Sequence, residues 1–301
     1  MKEGFKSGFA VLLGRPNVGK STLLNRLVGQ KVAICSPKPQ TTRNKIAGIV
    51  TREDFQVVFE DTPGIFEGKN ALSRYMQKNR EAATKDTDAV VLVLDGSEGL
   101  TRADREILAR FSESKVPVIA AVNKCDAARA EVMAPLLAEL SSLGFLREIL
   151  PVSARTGENV EILLRKIAGL LPEGMPFYGE DEVTDKPMRF LAAEVIREKI
   201  LLHFDQEIPH GVCVEIEKFA FDPERNLTEI GAVIVCEKAS HKPILIGKGG
   251  LALKKIGQSA RAELEKMLDG KVFLTLFVKV KEAWRDSDVL MNQLGFDPKK
   301  I

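Results

Sequence analysis

The sequence predicts two domains of different class, an α/β domain with a mostly parallel sheet and a smaller α+β domain. In residues 1–172, short apolar runs alternate with longer amphipathic segments, as buried parallel strands alternate with the helices that cover them. Residues 173–186 are rich in proline, glycine and acidic side chains and have no period, which is typical of a linker. Residues 187–301 then follow the order αββαβ.

The apolar runs of the first domain predict five strands, several of them apolar throughout because both faces of a parallel sheet are covered. The amphipathic segments between the runs predict helices. The expected strands are 9–13, 57–59, 89–94, 118–122 and 149–152, and the expected helices are 22–28 and segments near 71–85, 102–113, 131–142 and 159–170.

The second domain has a different pattern. A helical apolar face from Met188 to Ile200 precedes two strands, one at 212–217 with alternating side chains and one at 230–236. A glycine-rich turn, a helix around 256–267 and a long strand at 272–280 complete the αββαβ order. Four aromatic residues are interpreted as packing within this sheet, namely Phe219, Phe221, Phe273 and Phe277.

Composition is that of an ordinary soluble protein, with 45% hydrophobic and 29% charged residues and a net charge of +2. Any basic binding site must therefore be local. The four cysteines are scattered without a CxxC pair, so neither a disulfide framework nor a zinc site is indicated. The first apolar run stops at Gly14, which is too short for a signal peptide or a membrane span. We therefore expect a cytoplasmic protein.

A phosphate-binding loop follows the first strand. Gly14-Arg-Pro-Asn-Val-Gly-Lys-Ser21 stands between a predicted strand and a predicted helix, which is the context that this motif requires. Glycines let the backbone N–H groups turn inward on an anion, and the helix N-terminus adds its dipole. Lys20 can reach the β- and γ-phosphates, and Ser21 can offer a hydroxyl to Mg²⁺. The expected nucleotide-binding residues here are Gly14, Asn17, Val18, Gly19, Lys20, Ser21 and Thr22.

Two further segments suit the γ-phosphate and the metal. Asp61-Thr-Pro-Gly64 ends a strand about forty residues after the loop, where the carboxylate can hold Mg²⁺ and the Gly64 N–H can meet the γ-phosphate. The proline-rich segment 36–43 is typical of a switch whose threonine completes the Mg²⁺ coordination. We expect that threonine to be Thr42, with Thr41 as the alternative.

Asn123-Lys-Cys-Asp126 indicates guanine as the base. Asp126 can accept hydrogen bonds from N1–H and the exocyclic amine of guanine, a pair of donors that adenine does not present. Asn123 can tie this segment to the phosphate loop, and the stem of Lys124 can cover the base. After the fifth strand comes Ser153-Ala154, whose Ala154 N–H can donate to the guanine carbonyl.

The second domain carries a separate binding motif, Gly247-Lys-Gly-Gly250, which is typical of a KH module whose loop clamps an RNA backbone. Residues 238–261 contain six lysines and arginines and no acidic residue, which favours a nucleic acid partner. The expected RNA-binding residues are Ile246, Gly247, Lys248, Gly249, Gly250, Lys254 and Lys255.

Taken together, these motifs resemble the Era family of bacterial ribosome-assembly GTPases over the whole chain. The resemblance implies an α/β P-loop GTPase domain at 1–172, a linker at 173–186 and an α+β KH domain of type II at 187–301. It also implies GTP or GDP and Mg²⁺ as ligands, and small-subunit ribosomal RNA near its 3′ end and the 30S subunit as partners. We expect a monomer with no DNA partner, and peripheral association with the inner face of the cell membrane is left open.

One position departs from Ras-like GTPases, because Ile65 follows Gly64 where those proteins place a water-orienting glutamine. We therefore expect slow intrinsic hydrolysis, and the resemblance suggests that Asn17 helps to bind an activating K⁺. Arg15 and Arg43 are candidates for an intrinsic arginine finger. The expected catalytic residues are Lys20, Thr42, Asp61 and Gly64.

Two other classes of function remain open. One is a nucleotide-dependent metabolic kinase, which the guanine motif and the lack of an evident acceptor-site lid disfavour. The other is an RNA-binding scaffold with an inactive GTP site, which the intact residues Lys20, Ser21, Asp61 and Asp126 disfavour.

Overall fold

The computed structural model describes residues 4–64 and 70–297. Within them the chain forms two compact units, one of residues 4–64 and 76–185 and the other of residues 70–75 and 186–297. No helix in the described part of the chain is both long and apolar enough to cross a membrane.

The first unit is built on a six-stranded sheet in the order β2-β3-β1-β4-β5-β6. Its strands pair in parallel except for β2, which is antiparallel to β3. The strands are β1 (Lys6–Leu13), β2 (Ile46–Thr51), β3 (Phe55–Asp61), β4 (Ala89–Asp95), β5 (Val118–Asn123) and β6 (Leu146–Pro151). All five predicted strands are present.

Strand β2 was not predicted. It contains Gly48, and glycine weakens the strand pattern in a sequence. The structure explains the glycine, because a Cβ at this position would lie 2.5 Å from Leu24 Cδ1 on the first helix. The close approach of a helix therefore requires a residue that sequence propensity disfavours in a strand.

Among the described residues five helices accompany this sheet, and their apolar faces pack on it, while β3, β4 and β5 are buried at every position. Helix α3 begins with a capping box in which Thr101 and Asp104 satisfy each other's backbone N–H groups. It ends four residues before the predicted boundary. The helices are α1 (Lys20–Val28), α2 (Ala71–Lys85), α3 (Arg102–Ala109), α4 (Ala130–Ser141) and α5 (Val160–Leu170), and residues 71–75 of α2 are assigned to the second unit.

The segment predicted as the linker 173–186 packs on the first unit up to Asp185. The buried side chain of Gln56 accepts the N–H groups of Phe177 and Tyr178 at 2.7 and 3.0 Å. The ring of Phe177 lies 4.8 Å from that of Phe9. The composition of this segment indicates a linker, whereas these contacts with residues far away in the sequence hold it against the first unit.

The second unit has a three-stranded sheet in the order β7-β8-β9, with β7 antiparallel and β9 parallel to β8. The mixed sheet and its helices match the predicted α+β class. The elements are α6 (Met188–His203), β7 (Val212–Asp222), β8 (Leu227–Cys236), α7 (His241–Ile246), α8 (Leu251–Met267), β9 (Lys271–Val280) and α9 (Asp288–Gln293).

Helix α7 corrects the predicted αββαβ order to αββααβ, followed by α9. The glycine turn was placed between a strand and a helix, but it lies between helices α7 and α8. Helix α7 has six residues, too few for a helical period to be recognised, and carries Pro243 in its first turn, where proline is tolerated.

The interpretation of the four aromatic residues as sheet packing was wrong for three of them. Phe219 packs against the core, whereas Phe221, Phe273 and Phe277 are 60%, 61% and 60% exposed. In β9 the residues alternate between faces, and Val272 lies on the helix-covered face. Phe273 and Phe277 therefore point away from the helices.

Candidate nucleotide and RNA sites

The phosphate loop joins β1 to α1 with a backbone that only particular residues can adopt. Gly14 and Gly19 have φ of +152° and +97°, and Asn17 has φ of 66°. A Cβ would lie 2.4 Å from Val93 O at Gly14 and 2.3 Å from Asn123 Nδ2 at Gly19. The glycines thus allow close packing as well as unusual torsion angles, and the loop ends at the N-terminus of α1, a favourable place for an anion.

Lys20, the first residue of α1, is buried beneath this loop. Its Nζ donates to the carbonyl oxygens of Gly14 at 3.1 Å and Arg15 at 3.0 Å. Burial lowers the pKa of the Lys20 amine from 10.5 to about 8, with Asp61 partly opposing the shift. A phosphate group in the loop would supply the countercharge that favours the protonated amine.

Three oxygen-bearing side chains meet beside Lys20. Ser21 Oγ donates to Asp61 Oδ2 at 2.6 Å, and Thr42 Oγ1 lies 3.2 Å from the same oxygen and 3.0 Å from Ser21 Oγ. Asp61 is fully buried, its Oδ1 has no hydrogen-bond partner among the described residues, and burial raises the pKa of its carboxyl group. An orphaned carboxylate oxygen beside two hydroxyl groups fits a hard divalent cation such as Mg²⁺.

The structure distinguishes the two candidate switch threonines. Thr41 Oγ1 donates within its own loop to Lys38 O at 2.6 Å, whereas Thr42 reaches Asp61. Gly64 lies against the phosphate loop, since a Cβ there would lie 3.1 Å from Pro16 Cγ. Ile65 lies outside the described residues.

These groups border a cavity of about 470 Å³. Gly14 and Val18 are buried behind it and shape the loop without lining the cavity. The predicted residues that line it are Asn17, Gly19, Lys20, Ser21, Thr22, Thr42, Gly64 and Lys124.

A second cavity, of about 290 Å³, lies where β5 and β6 end. Asn123 connects its walls, because its Nδ2 donates to Val18 O at 2.8 Å and its Oδ1 accepts the Ala154 N–H at 3.0 Å. Asp126 Oδ1 accepts from Ser153 Oγ at 2.6 Å, and this bond is the largest cause of the lowered pKa of Asp126. An ionised carboxylate at a strand end can accept the two donors of a guanine edge.

In the second unit, the turn between α7 and α8 requires its glycines. Gly247, Gly249 and Gly250 have φ of +74°, +58° and +78°. A Cβ at Gly247 would lie 2.7 Å from Ala252 Cβ, whereas one at Gly249 or Gly250 would meet nothing within 4 Å. The turn is therefore packed at its first residue and open at the residues that an RNA backbone could approach.

Beside this turn, α8 and β9 enclose a groove of about 310 Å³. Of the predicted residues, Gly250 and Lys254 line it, while Lys248 and Lys255 are exposed outside it and Ile246 is half-buried. The lining residues that sequence reasoning missed are Leu253, Gly257, Gln258, Arg261, Leu274 and Leu276. The helical spacing of Gly250, Lys254, Gly257 and Arg261 was a signal that could have found this face.

Known proteins show the same organisation. A family model described as a 50S ribosome-binding GTPase matches residues 9–124, and one described as a KH domain matches residues 207–285. GTPase Era of Alkaliphilus metalliredigens is 44% identical over 97% of this chain and 99% of its own length. GTPase Era of Alkaliphilus oremlandii is 47% identical over the same shares. The chain belongs to the Era family of GTPases.

Solved Era structures confirm the predicted fold class. Era of Aquifex aeolicus bound to GDP and AlF₄⁻ has a TM-score of 0.92 and 38% identity, covering 97% of this chain and 100% of that one. A second Era structure, in complex with MgGDPNP and nucleotides 1506–1542 of 16S ribosomal RNA, has the same score and identity and covers 97% and 99%.

In this Era-family chain, the sequence alone assigned no role to three polar residues around the base cavity, which are Arg155, Asp95 and Arg26. Arg155 pairs with Asp126 Oδ2 at 2.5 Å, and Lys124 Nζ bonds Asp95 at the end of β4. Arg26 on α1 donates from Nε to Ala154 O at 3.0 Å, which holds the loop after β6 against the helix. Position at a strand end was the available signal for Asp95.

Neither arginine considered as a finger is free in the structure. Arg15 pairs with Asp104 at 3.1 Å and with Glu98 at 2.6 Å. Arg43 is only 1% exposed.

We expect the buried Lys20 amine to make nucleotide binding depend on pH. Above about pH 8 the amine of the free protein is neutral, and it must take up a proton to bind phosphate as a cation. We expect proton uptake on GDP binding to increase, and affinity to fall, from about pH 7 to about pH 9. Calorimetry in buffers of different ionisation enthalpy measures the uptake. Lys20→Arg, which stays charged, is the control, and uptake that rises equally in this variant would contradict the assignment.

Proposed function

We propose that this Era-family GTPase binds GTP through its first unit and the 3′ region of small-subunit ribosomal RNA through its KH domain, as a switch in 30S subunit assembly. The observation that carries the proposal is the placement of Asp126 at the same sheet edge as the phosphate loop and Asp61. The residue proposed to bind the guanine base therefore lies at the same edge of the sheet as the residues proposed to bind phosphate and metal.

In the proposed mechanism, Ser21, Thr42 and Asp61 would hold Mg²⁺, which neutralises charge on the β- and γ-phosphates. Lys20 would exchange its two loop carbonyls for phosphate oxygens, and the Gly64 N–H would donate to the γ-phosphate. The Ala154 N–H would share its hydrogen between Asn123 Oδ1 and the guanine carbonyl. Lys20 and Ser21 lie on α1 and Asp61 ends β3, so little reorganisation of these three groups is needed as charge develops.

We further propose that K⁺ accelerates hydrolysis with the help of Asn17. This residue is exposed, lines the larger cavity and has a left-handed backbone that glycine also adopts. We expect faster GTP turnover in K⁺ than in Na⁺ at equal ionic strength. Asn17→Gly, which keeps the backbone and removes the amide, should lose that difference. Equal rates of the unaltered protein in both salts would count against the proposal.

The RNA half of the proposal is supported by the basic groove beside the glycine turn and by the rRNA-bound Era structure. Crosslinking of the full chain to total RNA with GTP, GDP or a non-hydrolysable analogue tests it. We expect fragments from the 3′ end of small-subunit rRNA to be enriched, to a degree that depends on the nucleotide. Equal recovery in every nucleotide state would contradict a coupled switch.

We also propose that the protein is a monomer that acts on the 30S subunit in the cytoplasm. Peripheral association with the inner face of the membrane stays a separate proposal, which co-sedimentation with anionic vesicles tests.

A further inference from the structure

We propose that Arg15 is a positioning residue, which anchors the phosphate loop to helix α3 through Asp104 and thereby strengthens binding of GTP and GDP alike. The inference rests on the proposed nucleotide function and concerns a residue of the loop that this function leaves without a role.

The pair is partly enclosed and well aligned. Arg15 Nε lies 3.2 and 3.1 Å from the two carboxylate oxygens of Asp104, and a terminal nitrogen lies 2.6 Å from Glu98 Oε2. The Asp104 side chain is completely buried, and that of Arg15 is 17% exposed. Breaking such a pair leaves a buried carboxylate uncompensated, so the pair has a strong preference for its closed geometry.

Asp104 is itself fixed to the start of α3. Its Oδ2 accepts the Thr101 N–H at 3.0 Å and the Thr101 hydroxyl at 2.7 Å, as the capping box requires. The carbonyl of Arg15 also accepts the Lys20 amine at 3.0 Å. Arg15 therefore links the N-terminus of α3 to the backbone that surrounds Lys20.

The consequence for binding follows from the shape of the loop. Between Arg15 and Lys20 the chain has left-handed angles at Asn17 and Gly19, and Asn123 fixes the middle at Val18. The Arg15 anchor fixes the beginning. A loop held at both points is preorganised, which strengthens binding. Because the anchor does not change between substrate and transition state, its loss should raise KM and leave kcat nearly unchanged.

The direction in which Asp104→Asn changes nucleotide affinity tests the inference. Removing a negative charge near a phosphate site should tighten nucleotide binding by electrostatics alone. Loss of the anchor predicts the opposite, roughly tenfold faster GDP release and a similar rise in KM for GTP. Stopped-flow release of fluorescent GDP and turnover at saturating GTP measure the two quantities.

One control variant separates the anchor from general effects on α3. Arg102→Ala removes the solvent-exposed Arg102–Glu106 pair on the same helix. This variant should release GDP at nearly the unaltered rate. If Asp104→Asn does not fold, as judged by thermal melting, Arg15→Lys takes its place in the test. Lysine keeps the positive charge but cannot make the guanidinium contacts to Asp104 and Glu98 together, so faster GDP release is expected here too.

A double-mutant cycle completes the test. If Arg15 acts through Asp104, Arg15→Ala combined with Asp104→Asn releases GDP no faster than the more affected single variant. A fall in kcat with Arg15→Ala that Asp104→Asn does not share would make Arg15 a phosphate-contacting finger and overturn the inference. Unchanged release in Asp104→Asn would also overturn it, whereas failure of the unaltered protein to bind GDP would instead refute the proposed function.

Discussion

Replacing Asp126 with asparagine is expected to change the nucleotide preference of this protein from guanine to xanthine. The carboxylate of Asp126 accepts from Ser153 and Arg155 at the rim of the base cavity. With guanine bound, its oxygens would accept N1–H and the exocyclic amine. An asparagine would present one donor and would leave a donor of guanine unpaired. Loss of a matched buried polar group reduces affinity strongly, by roughly 10³-fold or more.

The gain of xanthine nucleotide binding is the second expected effect of Asp126→Asn. Xanthine carries a carbonyl where guanine has its exocyclic amine, so the amide nitrogen of Asp126→Asn can donate to it. We expect hydrolysis of XTP by the variant at a rate near that of GTP by the unaltered protein. Glu158→Gln makes the same chemical change at a neighbouring exposed carboxylate and should keep GTP preference. Loss of GTP binding without any gain for XTP would show that Asp126 only supports the loop.

The parts of the fold that the sequence predicted are those set by local chemistry. Strands β4 and β5 are apolar at nearly every position because both faces are covered, and that pattern is visible without knowing the partners. The phosphate loop is similarly local, since Gly14 and Gly19 have torsion angles and packing that glycine alone satisfies. Asp61 and Asp126 were predicted as site residues because ligands of such sheets bind at strand ends.

What the sequence did not predict depends on residues far apart along the chain. Glycine at position 48 leaves room for α1 against β2, and the side chain of Gln56 holds segment 173–185 at Phe177. The Arg15–Asp104 pair joins positions 89 residues apart, so no motif records it. Phe273 and Phe277 were interpreted as packed residues because the sequence of β9 does not show which of its two faces the helices cover. The structure leaves both rings exposed.

Gly249→Asp is expected to abolish most RNA binding while leaving GTP hydrolysis intact. Gly249 is exposed at the turn between α7 and α8, with left-handed angles that Asp and Asn also tolerate. A Cβ there meets nothing within 4 Å, so the fold should accept the side chain. A carboxylate about 5 Å from an RNA phosphate costs about 3 kcal/mol at an effective dielectric constant of about 20, before screening by salt. We therefore expect at least a tenfold loss of affinity.

Gly249→Asn separates charge from shape, because it has nearly the same size and backbone preference without the charge. If the turn approaches the RNA backbone closely, Gly249→Asn should lose some affinity through bulk and Gly249→Asp considerably more. The difference between the two should shrink as salt rises, since only the charge term is screened. Fluorescence anisotropy with an oligonucleotide from the 3′ end of small-subunit rRNA measures the RNA affinity of both variants. GTP turnover without RNA shows whether the first unit remains active in each variant. If the difference in RNA affinity between Gly249→Asp and Gly249→Asn is the same at low and high salt, the phosphates do not lie near this turn. The RNA would then run along the side of the groove that Lys254 and Arg261 line.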